Sequence, residues 1–148
     1  ERGFREEAEK DSRVKEIVTI NVASTTEEAR AAARELILTH PEINVIATFN
    51  EWTSLGVGWA IRDLEKKDEI FVAAFDSNDV SVGMLETGEV DALIVQNPYA
   101  MGYLGVEKAW EILTGRKGKE KQIDTDTTTV TRENMFLEEY QKILFLFD

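Results

Sequence analysis

The sequence predicts an α/β fold, a parallel sheet flanked by helices, and three observations carry that expectation. Val45–Phe49 (VIATF), Phe71–Phe75 (FVAAF) and Ala92–Val95 (ALIV) are short apolar runs bounded by polar turn residues. Such runs read as strands covered on both faces. Each run stops at a polar side chain, Asn50, Asp76 or Gln96, and each is followed by a helical pattern. Strands alternating with helices at this spacing pair in parallel. In an open parallel sheet, ligands bind beyond the carboxyl ends of the strands. Asn50, Asp76 and Gln96 are therefore expected along one rim, on strands about 4.8 Å apart.

Taken in order, Glu1–Asp11 is a charged helical pattern with Phe4 and Ala8 on one face. Val14–Val22 (VKEIVTINV) is β-branched and predicts a strand. Thr25 with Glu28 fits a capping box, opening a helix that stops before Pro41. That places His40 at a helix end. Ile43–Phe49 is the next strand. From Glu51 to Lys67 the pattern is helical, with Leu55, Trp59 and Leu64 near one face. Gly56 and Gly58 lie inside this helix, where each costs about 1 kcal/mol, and close packing against the sheet would explain them. After Ile70–Phe75, Asp79–Glu86 predicts a short helix closed by Gly88.

Glu89–Gln96 is a further strand, and Pro98 suits the first turn of the helix Tyr99–Leu113. Arg116–Lys121 is a polar loop. Gln122–Thr131 is Thr-rich and fits an exposed or edge strand. Arg132–Asn134 reads as a turn. Met135–Phe147 reads as a final amphipathic helix, with Phe136, Leu137, Tyr140, Ile143, Leu144 and Phe147 at helical spacing.

Composition narrows the function. The 148 residues include 17 Lys plus Arg against 29 Asp plus Glu, a formal charge of −12. Nucleic-acid binding needs a basic face, so no nucleic-acid partner is expected. Without cysteine there is no disulfide or thiolate site, and the single His40 cannot build a multi-histidine metal site. No metal and no cofactor are expected. No apolar run approaches the roughly 20 residues of a membrane span. There is no GxSxG, HExxH or glycine-rich phosphate loop, and Ser54 and Ser77 have no histidine near them in sequence. The chain is not expected to be an enzyme.

The strand-end residues suit a polyol. Asn and Gln offer donors and acceptors, whereas Asp accepts only, and each sugar hydroxyl does both. Trp52, two residues beyond Asn50, could lay its indole on a sugar ring or pack into the fold. Asn50 could equally hold a turn, Asp76 could cap the helix that starts near Asn78, and Gln96 could be a loop residue.

Four segments carry a resemblance: TFNEWTSLG at Thr48–Gly56, VAAFD at Val72–Asp76, VQNPYAMGYLGV at Val95–Val106 and VTREN at Val130–Asn134. In this order and spacing they resemble the type I periplasmic sugar-binding proteins, the ribose-binding branch above all. The resemblance runs from about Arg2 to Asn134. It implies the second of two α/β lobes that close around a sugar, with Asn50, Asp76 and Gln96 at positions that hydrogen-bond its hydroxyls. It further implies a ligand-binding lobe over 1–96 lacking its first strand. A helix and loop over 97–121 would belong to the other lobe. A return strand across the hinge and a terminal helix would fill 122–148.

The sequence departs from the family in places. Glu51 stands where Asp is usual, Ala74 where Gly is usual, and Ser24 where an aromatic residue contacts the ligand. A ligand-binding arginine of the family would fall before Glu1, and Arg2 does not match it.

The resemblance thus implies a C-terminal part whose sheet needs its N-terminal half, a second copy or an altered strand order. The function it implies is extracytoplasmic, in the periplasm or on a cell-surface lipoprotein. The chain would be the sugar-binding component of a bacterial ABC transporter, working with a membrane permease. The alternatives are a sugar sensor feeding a two-component kinase, and the effector-binding core of a LacI-type regulator.

Overall fold

The computed structural model of the protein describes residues 1–23, 25–116 and 122–145. Among them, β1 (Val45–Ala47), β2 (Phe71–Phe75), β3 (Ala92–Gln96) and β4 (Thr127–Thr131) form one sheet in that order. The pairs β1–β2 and β2–β3 are parallel, and β4 runs antiparallel to β3 as an edge strand. Parallel pairing needs a crossover between strands. The helices α3 (Glu51–Asp63) and α4 (Asp79–Thr87) supply those crossovers. The helices α1 (Arg2–Ala8) and α2 (Thr26–Thr39) precede the sheet, α5 (Pro98–Leu113) joins β3 to β4, and α6 (Glu138–Leu144) follows it.

The helix starts are written in the sequence as side-chain acceptors for otherwise unpaired N–H groups. Thr25 accepts from Glu28 N at 3.3 Å, Asn50 from Thr53 N at 3.0 Å and Asn97 from Ala100 N at 2.9 Å. The capping box expected at Thr25 is made only on the Thr25 side; the reciprocal box forms at Asn78 and Ser81. The helix α2 ends at His40, before Pro41, and Gly88 closes α4 at φ 93°, a left-handed conformation that suits glycine.

The register puts Val72, Ala74, Leu93, Val95 and Val130 on one face of the sheet, all buried. Ile61 of α3 and Met84 and Leu85 of α4 pack into the same core, together with Met135 and Leu144 from the chain end. Asp91 ties the sheet together at one end, accepting from Val72 N at 2.9 Å and from the Arg132 guanidinium at 3.0 Å.

The structure corrects several expectations. Val14–Val22 forms no strand; it is irregular chain that pairs with no strand of the sheet. The strands expected over Ile43–Phe49 and Glu89–Gln96 shorten to β1 and β3. FVAAF is fully covered on one face only: Val72 and Ala74 are buried, whereas Phe71 is 49% exposed. Gly56 and Gly58 face helices rather than the sheet. A Cβ on Gly56 would meet Ala29, Arg30 and Thr26 of α2, and one on Gly58 would meet Met84 of α4. The turn after β4 runs to Leu137, which shortens the last helix to α6. Ser24, Lys117–Lys121 and Phe147 lie outside the described residues.

Candidate functional site

Parallel pairing brings the carboxyl ends of β1, β2 and β3 to one rim, where Asn50 and Asp76 follow their strands and Gln96 is the last residue of β3. Asp76 and Gln96 meet directly. Gln96 Nε2 donates to Asp76 Oδ1 at 2.5 Å, beside the backbone bond from Asp76 N to Ile94 O at 3.1 Å. Asp76 has φ 66°, a left-handed geometry that Asp tolerates better than most side chains. The bend turns the chain out of β2 at once. Asp76 does not cap α4; Asn78 does.

Asn50 is the N-cap of α3, and its Oδ1 is occupied by Thr53 N and the Thr53 hydroxyl, both at 3.0 Å. Among the described residues its Nδ2 makes no hydrogen bond, so an amide donor is left for a ligand. Asp76 Oδ2 and Gln96 Oε1 are likewise left as acceptors. The rim therefore offers one donor and two acceptors, each able to meet a hydroxyl that both gives and takes a hydrogen bond. Trp52 sits at the second position of α3 and is 49% exposed, so it is not a core residue.

Two rim residues escaped the sequence reading. Ser54 is buried, and its Oγ accepts from Phe75 N at 2.9 Å while lying 2.8 Å from both Asn50 O and the Thr48 hydroxyl. One hydroxyl thus ties the end of β1 to the end of β2. Its position four residues after the cap, on the sheet-facing side of the first helical turn, was the available signal. Glu51 Oε1 accepts from Asn78 Nδ2 at 2.6 Å, joining the first turn of α3 to the cap of α4.

Behind the rim, Arg30 makes two bonds to Asp63, at 2.7 and 2.5 Å, and Arg34 lies 3.1 Å from the same carboxylate. The Arg30 bond holds the Asp63 carboxyl below its ordinary range. Glu89 is buried; burial alone pushes its carboxyl up. Bonds from Arg62, from the Thr87 hydroxyl and from its own backbone outweigh that and leave it lower than usual. Among the described residues no group of three or more His, Asp or Glu side chains is placed to hold a metal.

A sequence profile described as periplasmic binding protein domain matches residues 1–117. The chain belongs to that family. Periplasmic binding proteins of known role resemble it in sequence. The ribose import binding protein of Haemophilus influenzae is 31% identical over 86 residues, covering 58% of this chain and 29% of that protein. Its Bacillus subtilis counterpart is 32% identical over 82 residues, covering 55% and 26%.

Solved periplasmic binding proteins match in structure. A carbohydrate transporter solute binding protein of Agrobacterium radiobacter, in complex with D-arabinose, superposes with a TM-score of 0.86 at 29% identity. That match covers 96% of this chain and 48% of the other. A solute binding protein of Agrobacterium vitis with bound D-fucose gives 0.85 at 27%, covering 96% and 49%. The chain thus spans less than a third of these curated relatives and about half of these solved ones. The family is the sugar-binding, ABC-transport one that the four sequence segments resemble.

Proposed function

We propose that the chain is the sugar-binding lobe of an extracytoplasmic solute-binding protein that delivers a monosaccharide to an ABC permease. The ligand sits on the rim formed by Asn50, Asp76 and Gln96, with Trp52 against a sugar face, and a second lobe closes over it. The observation that carries this reading is the Asp76–Gln96 hydrogen bond at the strand ends. It aligns a carboxylate and an amide side by side, each with acceptor capacity to spare, and Asn50 adds a donor from the neighbouring strand.

In this reading the segments divide as the resemblance implies. Residues 1–96 carry the rim. Residues 97–121 belong with the opposite lobe, and α5 has no buried residue of its own here. Residues 122–148 return across the hinge, and β4 pairs with β3 from Gln96↔Thr127 onward. The arabinose, fucose and ribose named for the relatives define the panel to test.

The test is an NMR titration of the isotope-labelled chain with D-ribose, D-arabinose and D-fucose, read at the side-chain amides of Asn50 and Gln96. Half a cleft binds weakly, and shift changes detect weak binding. One of these sugars is expected to move both amide signals. Asn50→Asp keeps the cap acceptor but removes the donor, and Asp76→Asn keeps a residue that accepts the left-handed bend. Each is expected to weaken binding roughly 5- to 150-fold, the equivalent of about 1–3 kcal/mol for one lost bond to a buried partner. Shift changes that leave both amides still, or unchanged affinity in both variants, would remove this rim from the site.

A further inference from the structure

The rim carboxylate, Asp76, sits in a bend that one turn of α3 holds from both sides. Its φ of 66° is a conformation that costs an L-residue energy and persists where the surroundings enforce it. Phe75 precedes the bend. Ser54 Oγ accepts from Phe75 N and lies 2.9 Å from Phe75 O as well. Asn78 closes the bend, and its Nδ2 donates to Glu51 Oε1 at 2.6 Å. Glu51 and Ser54 are the first and fourth residues of α3. Positions three apart are neighbours on a helix surface. One helical turn therefore grips the chain just before and just after Asp76 and Ser77. Among the described residues Ser77 makes no hydrogen bond, so it adds no hold of its own.

Asn78 spends its other groups on its own helix. Its Oδ1 accepts from Ser81 N and its N donates to Ser81 Oγ, both at 2.9 Å. The Nδ2 is the group that ties this cap to another element. Without Glu51, Asn78 would still cap α4, but nothing from α3 would locate the cap. On the other side of the bend, Asp76 is tied to β3 through Ile94 O and Gln96 Nε2. Glu51 thus begins a line that runs through Asn78 to Asp76 and on to Gln96.

We infer that Glu51 is a positioning residue of the rim. Through Asn78 it fixes the Asp76 bend, and with it the place where Asp76 Oδ2 meets a ligand. The consequence for binding rests on the sugar reading above; the hold on Asp76 does not. The competing role for Glu51 is local, since a carboxylate in the first turn of a helix is favoured by the helix dipole. That role needs the charge and not the bond to Asn78. Positioning needs the acceptor and not the charge.

Three variants separate the two. Glu51→Gln keeps the acceptor and drops the charge, Glu51→Ala drops both, and Asn78→Ser keeps a good cap while dropping the donor. The first readout uses no sugar: NMR of the Gln96 side-chain amide in the isotope-labelled chain, whose shift and hydrogen exchange report its bond to Asp76. That amide is expected to shift and exchange faster in Glu51→Ala and in Asn78→Ser, and to stay in place in Glu51→Gln. The second readout is titration with D-ribose, D-arabinose and D-fucose. For a sugar that binds, Glu51→Ala and Asn78→Ser should each weaken binding on the order of tenfold, as when a group that orients a binding side chain is lost. Glu51→Gln should restore it. The double variant should bind no worse than either single one, because both break the same bond. A Gln96 amide that stays still in Glu51→Ala, a Glu51→Gln variant that behaves like Glu51→Ala, or losses that add in the double variant each overturn the inference. So does a sugar that binds Glu51→Ala as well as the unmodified chain, and the sugar reading then stands. If none of the three sugars binds while the amide pattern holds, the sugar reading falls and the hold of Glu51 on Asp76 stands.

Discussion

Ser54→Ala tests the rim without any ligand. The side chain is 1% exposed, and among the described residues its Oγ is the sole partner of Phe75 N, beyond the end of the β1–β2 ladder. Alanine removes that acceptor and leaves the Thr48 hydroxyl, 5% exposed, without its 2.8 Å neighbour. Leaving a buried donor unpaired costs about 1–3 kcal/mol. In a chain of this size each kcal/mol lowers the melting temperature by about 2–4 °C, so the expected drop is about 2–12 °C. Circular dichroism melts of Ser54→Ala and Trp52→Ala provide the measurement. Trp52 lies in the same helical turn and is far larger, yet it is exposed, so its removal should move the melt by no more than the roughly 0.5 kcal/mol of a surface change. A Ser54→Ala melt within a degree of the unmodified chain would refute the reasoning. So would a Trp52→Ala melt lower than that of Ser54→Ala.

Gly56→Ala should destabilise by about 1–3 kcal/mol, because its Cβ would lie 2.7 Å from Arg30 N and 2.8 Å from Thr26 O, backbone atoms that cannot swing aside. Gly83→Ala, in a helix with nothing within 4 Å, should instead stabilise by about 0.4–1 kcal/mol; urea midpoints separate the two. The Glu89 carboxyl lies below its ordinary value in the folded chain, so its stabilisation is complete above the ordinary glutamate range. That stabilisation is lost as the pH falls through the lowered folded value. The stability gap between the unmodified chain and Glu89→Gln should therefore narrow on acidification, and urea midpoints from neutral pH down to about pH 3 read it. A gap that widens toward acid would reverse the sign.

Much of the site was legible because it is local. A strand end marked by Asn, Asp or Gln can be located from a few residues, and parallel topology carries the three to one rim without further information. The Thr25 cap and the Gly88 stop were legible for the same reason, whereas Asn50 and Asn97 were not read as caps. What the sequence did not disclose depends on distant partners. Gly56 and Gly58 read as sheet-facing because helix periodicity gives a face but not the identity of the element opposite it. Ser54 was dismissed for want of a histidine, although its work is to hold two strand ends together. Glu51 read as a departure from a family pattern, and its bond to Asn78 lies 27 residues away in sequence.

The failed strand at Val14–Val22 is of a different kind. Its β-branched alternation describes an environment, a pleated surface with neighbours on both sides, more than an intrinsic backbone preference. The chain supplies the residues and not the neighbours. The same mismatch recurs in α5, whose Tyr103, Val106, Trp110, Ile112 and Leu113 are all exposed although the sequence gives it a core helix's composition. Mispatterned surfaces are normally single residues, whereas contiguous apolar ones mark interfaces. Val14–Val22 and α5 are thus two separate segments patterned for burial and left in the open.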